Sequence, residues 1–100
     1  MPILEMFGIM FEWHDDKFEM VYKGREIAFE EVCSVFEDPN EYTESDNRYG
    51  YDEHRMITIG MSNQGRLLTV AWVEREEVIR IITAFEPSKV QQRIYTNSRR

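Results

Sequence analysis

Three consecutive β-strand patterns joined by very short connections most constrain what this chain can fold into. Strands are predicted over residues 55–61, 66–74 and 78–85, because each run is rich in β-branched and apolar residues. Residues 62–65 (Ser-Asn-Gln-Gly) are a hairpin signal, and the charged residues 75–77 form the second connection. Connections this short join antiparallel neighbours, so the sequence predicts a strand meander in its second half.

The first half of the chain predicts one further strand and two helices. Residues 6–13 are apolar and rich in aromatic side chains, which indicates a strand. A helix is predicted over residues 14–22, because acidic side chains at its start suit the positive end of the helix dipole. A second helix is predicted over residues 28–37 from an apolar stripe at i, i+3, i+4 and i+7, formed by Phe29, Val32, Cys33 and Phe36.

The remaining segments complete an α+β pattern. Residues 41–53 are polar and acidic, with a short strand expected at 41–43. A last helix is predicted from Pro87, which fits a first helical turn, and Val90 and Ile94 would dock it. This order predicts a small α+β domain, residues 1–100, with a largely antiparallel sheet and helices on one face. The other face or its rim would be available for binding.

Charge divides this domain into two halves. Residues 1–53 contain 15 acidic and 4 basic side chains, whereas residues 54–100 contain 4 acidic and 8 basic ones, for a net charge of −7. Because the overall field repels nucleic acid, any such binding needs a local basic patch in the second half. A single cysteine indicates a cytoplasmic protein. The amino terminus has no signal-peptide pattern, and no membrane span is predicted.

A series of short motifs follows in a fixed order over roughly residues 11–95. They are Phe11-Glu12-Trp13 with Lys17, Phe29-Glu30-Glu31-Val32, residues 35–39 (Val-Phe-Glu-Asp-Pro), 55–60 (Arg-Met-Ile-Thr-Ile-Gly), 65–70 (Gly-Arg-Leu-Leu-Thr-Val), 80–84 (Arg-Ile-Ile-Thr-Ala), and Arg93 with Tyr95. In order and spacing, these motifs resemble the BrnT-type toxins of type II toxin–antitoxin pairs, which resemble RelE-like ribonucleases in fold.

The resemblance implies the function and the partners of the chain. It implies a metal-independent RNA endonuclease that is inhibited by a cognate antitoxin. The antitoxin would be a ribbon-helix-helix DNA-binding protein, so operator DNA would be reached only through it. Neither a cofactor nor a metal is expected, since the two histidines and one cysteine lack zinc spacing and no glycine-rich phosphate loop is present.

RNA cleavage without a metal needs a base for the 2′-hydroxyl, cations for the phosphorane charge and a donor for the leaving oxygen. Arginine suits the cationic role because its planar fork pairs with two phosphate oxygens. The resemblance and the local basic balance favour Arg55 and Arg80 as catalytic residues, with the imidazole of His54 as a third candidate. The predicted RNA-binding residues are Arg66, Lys89 and Arg93. Whether the strand arginines share one face depends on the register of the strands.

The chain also departs from the family pattern. His14 stands where aspartate is usual, residues 23–27 replace a Lys-His-Gly motif, and Phe85-Glu86-Pro87 follows Ala84 where a basic residue is expected. These departures support an alternative, a catalytically degenerate binding or regulatory module on the same fold. Residues 37–53 are either a solvated loop or a docking surface for a basic partner. A nucleic-acid mimic that uses the acidic half is a third possibility, supported by charge alone.

Overall fold

A computed structural model describes residues 3–13, 27–46 and 54–98 of the chain. These ranges contain six β-strands and two α-helices. The strands are β1 (Ile3–Met6), β2 (Ile9–Trp13), β3 (Tyr42–Asp46), β4 (Arg55–Met61), β5 (Leu67–Arg75) and β6 (Val78–Phe85). The helices are α1 (Phe29–Ser34), which continues as a 3-10 turn over Val35–Glu37, and α2 (Lys89–Ser98).

The strands form one mixed sheet in the order β1-β2-β6-β5-β4-β3. All neighbours are antiparallel except β2 and β6, which pair in parallel. The predicted α+β class and the β4-β5-β6 meander are therefore confirmed. The parallel pair joins strands far apart in the sequence, so no local turn signal could reveal it.

The single strand predicted over residues 6–13 is wrong, because this region is a hairpin of β1 and β2. Phe7 and Gly8 both have positive φ, 57° and 77°, as a two-residue type I′ turn requires. Because phenylalanine rarely adopts positive φ, the apolar and aromatic residues of this segment do not indicate a turn at Phe7. The predicted helix over residues 14–22 lies outside the described residues.

The last helix begins later than predicted. Ser88 caps α2: its Oγ accepts a hydrogen bond from the Gln91 N–H at 3.2 Å, while the Gln91 side chain accepts one from the Ser88 N–H at 2.9 Å. This reciprocal pair is a capping box, so Pro87 precedes the helix instead of starting it. Gln91 Oε1 also accepts a hydrogen bond from Thr69 on β5 at 3.1 Å, which fixes the start of α2 to the sheet.

Helix α1 packs on one face of the sheet, here called the core face. The predicted apolar stripe of α1 is confirmed, since Val32 and Cys33 are fully buried. Trp13 and Phe29 meet edge to face at 5.3 Å, and such aromatic contacts add to the burial of apolar area. The other fully buried apolar residues of this cluster are Phe11, Ile27, Val35, Leu68, Val70, Ile81 and Ala84.

Helix α2 packs on the opposite face, here called the α2 face, and the prediction of helices on one face is therefore wrong. Ile57 and Ile59 alternate with the core-face residue Thr58, so they lie on the α2 face. They form a second buried cluster with Tyr95, against which Ile94 also packs. Val90, predicted to dock this helix, is instead 61 % exposed. Neither described helix is long and apolar enough to cross a membrane.

Candidate nucleic-acid interface

Five side chains from five adjacent strands line up on the α2 face. Glu12 on β2 is in register with Arg80 on β6, and Arg80 is in register with Val73 on β5. Met56 pairs with Trp72, so the next step of that register aligns Val73 with Arg55, which in turn faces Asp46 on β3. Residues directly opposite each other in a sheet share a face. We call Glu12, Arg80, Val73, Arg55 and Asp46 the arginine row.

A β-bulge decides that Arg80 belongs to this row. Ala71 pairs with Thr83 but Trp72 pairs with Ile81, so Ile82 is an extra residue in β6. If Ile82 were instead paired with Trp72 in a regular ladder, Arg80 would be opposite Glu74 and would point to the core face. Bulges often redirect a side chain near a functional site, and this bulge places Arg80 on the same face as Arg55.

The row places two guanidinium groups on one surface. Arg55 and Arg80 lie two strands apart, about 10 Å between backbones for strand spacings of about 4.8 Å. Val73, which lies between them, is only 4 % exposed. Long arginine side chains can extend over such an apolar residue and bring their charged ends together. The contacts of α2 fall on Ile57 and Ile59, towards the Met61 end of β4.

Each arginine of the row has a carboxylate next to it. Arg80 Nε lies 3.8 Å from Glu12 Oε1, and both side chains are about one-fifth exposed, 19 % and 20 %. Asp46, in register with Arg55, is 6 % exposed. The row therefore combines two cations with two acids, and its local charge is balanced among these four side chains.

Arg66 is directed elsewhere. It precedes β5, and its Nε and Nη2 donate hydrogen bonds to the two carboxylate oxygens of Glu31 on α1 at 2.6 and 2.7 Å. Ser62 Oγ donates a third bond to Glu31 at 2.7 Å. The hydrogen bonds from Arg66 lower the pKa of Glu31, although burial acts in the opposite direction. The structure thus joins Arg66 to α1 on the core face and separates it from Arg55 and Arg80.

His54 also lies away from the row. Its Nε2 is 2.9 Å from Ser45 Oγ on β3, and Ser45 is in register with Met56, a core-face position. Arg55 is the next residue along the strand and points to the other face. The structure therefore does not bring His54 together with Arg55 and Arg80.

Lys89 and Arg93 share an exposed surface of α2. Both line a shallow groove together with Gln92, Thr96 and Asn97. Their spacing of four residues places both side chains on one side of the helix, as predicted. This groove is separate from the arginine row, and contact of both residues with RNA requires a strand that crosses α2.

No group of three metal-binding side chains is close enough to hold an ion within residues 3–13, 27–46 and 54–98. The thiol of Cys33 is fully buried, and burial raises its pKa far above the usual range. Cys33 therefore stays protonated and serves the packing of α1, as its place on the apolar stripe predicted.

The sequence analysis did not predict Glu12, Asp46 or Glu31 as site residues. For Glu12 a signal was available: it lies between Phe11 and Trp13, both fully buried, so strand alternation places it on the opposite face. For Glu31 the partners Ser62 and Arg66 come from a segment distant in sequence. For Asp46 the partner depends on the register of β3 and β4, which no local pattern indicates.

The family of the chain follows from comparison with known proteins. A family model described as the ribonuclease toxin BrnT of type II toxin–antitoxin systems matches residues 13–89. No curated protein matches the chain. The matched region includes Arg55, Arg66 and Arg80, and it confirms the resemblance drawn from the sequence motifs. The chain therefore belongs to the BrnT family, the ribonuclease toxins of type II toxin–antitoxin systems.

Proposed function

We propose that this protein is a toxin that cleaves RNA without a metal ion in the cytoplasm and is held inactive by a cognate antitoxin. Membership of the BrnT family supports a ribonuclease toxin with an antitoxin partner. The observation that carries the proposal is the placement of Arg55 and Arg80 on one face of the sheet, two strands apart. The proposed unit is a single BrnT-like domain over residues 1–100, with a RelE-like arrangement.

In the proposed reaction, Arg55 and Arg80 hold the scissile phosphate. Their guanidinium groups donate hydrogen bonds to its non-bridging oxygens and stabilise the charge that develops on the phosphorane. Lys89 and Arg93 on α2 bind neighbouring phosphates of the RNA strand. Arg66 holds α1 against the sheet through Glu31, so its predicted RNA contact is secondary to this structural role.

The antitoxin is proposed to be a ribbon-helix-helix DNA-binding protein that covers the arginine row. Operator DNA is then bound only by the antitoxin. Strand β3 is an edge strand with the exposed side chains Thr43, Glu44 and Ser45, which suits contact with a basic partner segment. This edge adjoins Arg55, and a partner seated there lies within reach of the row.

A second candidate function is a catalytically degenerate binding or regulatory module on the same fold. It is favoured by the pairing of Arg80 with Glu12 and of Arg66 with Glu31. It is also favoured by Phe85-Glu86-Pro87, which follows Ala84 where the family pattern expects a basic residue. The two functions differ in RNA affinity. Two or more phosphate contacts give a steep fall of affinity with salt, which a neutralised surface lacks.

The test is RNA cleavage by the protein freed of its antitoxin. Arg55→Ala and Arg80→Ala should each lower the cleavage rate by about 100-fold or more. The melting temperature of Arg80→Ala should change little, because Glu12 beside it is one-fifth exposed. Arg75→Ala is the matched control, because it removes the same charge from the end of β5 outside the row. Intact RNA after incubation with the wild-type protein would rule out the nuclease function.

A further inference from the structure

The proposed cleavage requires a base close to the two arginines of the arginine row. Two arginines supply positive charge, but a metal-free reaction also needs a group that takes the 2′-hydroxyl proton. His54 is bonded to Ser45 on the core-face side. We propose, on the basis of the proposed ribonuclease function, that the Glu12 carboxylate is this general base.

Glu12 lies next to a cation, as the chemistry requires. In RNA the 2′-hydroxyl is adjacent to the 3′-phosphate, so the base and one phosphate-binding group must stand side by side. Glu12 and Arg80 are opposite each other on β2 and β6, with 3.8 Å between Oε1 and Nε. A ribose over β2 and a phosphate over β6 and β4 would match the order Glu12, Arg80, Arg55 across the row.

The pair of Glu12 with Arg80 differs in kind from the pair of Glu31 with Arg66. Glu31 uses both carboxylate oxygens to accept hydrogen bonds from Arg66 at 2.6 and 2.7 Å, and it is 5 % exposed. The 3.8 Å separation between Glu12 and Arg80 exceeds hydrogen-bond length. The Glu12 side chain is also 20 % exposed, so a ribose hydroxyl can approach its oxygens.

The other acid of the row is a poorer candidate. Asp46 is 6 % exposed, and a ribose could reach its carboxylate only if the surrounding residues moved. Among the described residues on the two strands that flank β2, the charged side chains on the same face as Glu12 are Glu5 on β1 and Arg80 on β6. Glu5 is exposed at the sheet edge, whereas Arg80 is the partner that the reaction uses.

The proposed step conserves atoms and charge. Glu12 takes the 2′-hydroxyl proton, the 2′-oxygen bonds to phosphorus, and the bond between phosphorus and the 5′-oxygen breaks. The leaving 5′-oxygen keeps the electron pair and takes a proton from water, and the hydroxide so formed removes the proton from Glu12. The products are a 2′,3′-cyclic phosphate and a 5′-hydroxyl end.

The experiment separates catalysis from binding. Wild-type protein and Glu12→Gln are compared in cleavage of an RNA oligonucleotide and in binding of its 2′-O-methyl analogue, which cannot be cleaved. Glu12→Gln should cleave at least about 100-fold more slowly. It should bind the analogue as tightly as wild type or more tightly, because Arg80 loses a negative neighbour. Glu12→Asp should retain part of the activity, because it keeps a carboxylate at this position.

Glu5→Gln is the matched control, since it removes the same charge from the same face of the adjacent strand and should leave cleavage unchanged. Cleavage by Glu12→Gln within tenfold of wild type would overturn the assignment. A parallel loss of binding and cleavage would also overturn it, because Glu12 would then only position Arg80. A large loss in His54→Ala alone would identify His54 as the base instead. A wild-type protein that binds RNA but never cleaves it would refute the proposed function itself.

Discussion

Arg66 and Glu31 form a bidentate ion pair that joins the segment before β5 to α1. The Arg66 guanidinium donates hydrogen bonds to both carboxylate oxygens of Glu31, at 2.6 and 2.7 Å. Glu31 is 5 % exposed, and Ser62 donates a further hydrogen bond to it. A buried carboxylate with all these partners stabilises the fold, but it becomes costly when its cation is removed. The pair therefore makes Arg66 a structural residue.

Arg66→Ala should lower the free energy of unfolding by about 2–3 kcal/mol, because it leaves Glu31 buried without its cation. The value lies below that of a fully buried pair, since the Arg66 side chain is 37 % exposed. Chemical denaturation of the variant measures the effect. Lys89→Ala, at an exposed position at the start of α2, is the control and should leave the denaturation midpoint unchanged. Equal stability of Arg66→Ala and wild type would contradict this role.

The stability of the protein should decrease in acid because of Glu31. Its pKa is lowered from 4.5 by the hydrogen bonds of Arg66, so the folded state favours the ionised form more than the unfolded state does. This contribution is complete above pH 4.5 and is lost as the pH falls through the lowered pKa. Denaturation of wild type and Glu31→Gln as a function of pH should show a stability difference that shrinks below that pH.

The effect of Glu41 on the pH dependence of stability should be opposite to that of Glu31. Burial raises its pKa above 4.5, so the folded state holds the proton more tightly than the unfolded state does. Its ionisation weakens the fold as the pH rises through the raised pKa. Glu41→Gln should therefore gain stability at neutral pH relative to wild type, and the gain should vanish below pH 4.5. A constant difference across this range would contradict the prediction.

Tyr95→Phe should destabilise the attachment of α2. The Tyr95 hydroxyl donates a hydrogen bond to Asp38 Oδ2 at 2.6 Å, and Tyr95 is 3 % exposed. Loss of this partly buried bond to a charged acceptor should cost about 1.5–3 kcal/mol, measured by denaturation. Tyr42→Phe is the matched control, because its hydroxyl bonds to Glu44 at an exposed position. Equal effects of the two substitutions would show that burial of the bond has no importance here.

Gly60→Ala should destabilise the contact between β4 and the turn after α1. A Cβ atom at position 60 would lie 2.8 Å from Val35 Cγ1 and 3.1 Å from the Val35 carbonyl oxygen. Such overpacking should lower the free energy of unfolding by about 1–3 kcal/mol. Val35→Ala in the same chain removes the closest clash, so the double variant should lose less than the sum of the two single losses. An additive loss would exclude this contact as the cause.

The sequence alone indicated the elements whose signals are local. The strands over residues 55–61 and 78–85 coincide with β4 and β6, because runs of β-branched residues between turn signals suffice to identify a strand. The stripe from Phe29 to Phe36 identified α1 through its period of 3.6 residues. The motif order likewise identified the BrnT family, which the family model confirms.

The tertiary structure decided which candidate residues lie together. The sequence allowed three strand arginines to share a face, but the extra residue Ile82 in β6 places Arg80 with Arg55, while Arg66 turns to Glu31. A shift of one residue reverses the face of every later side chain in a strand, and no local pattern reports it. The parallel pairing of β2 with β6, which sets Glu12 beside Arg80, also depends on contacts between distant segments.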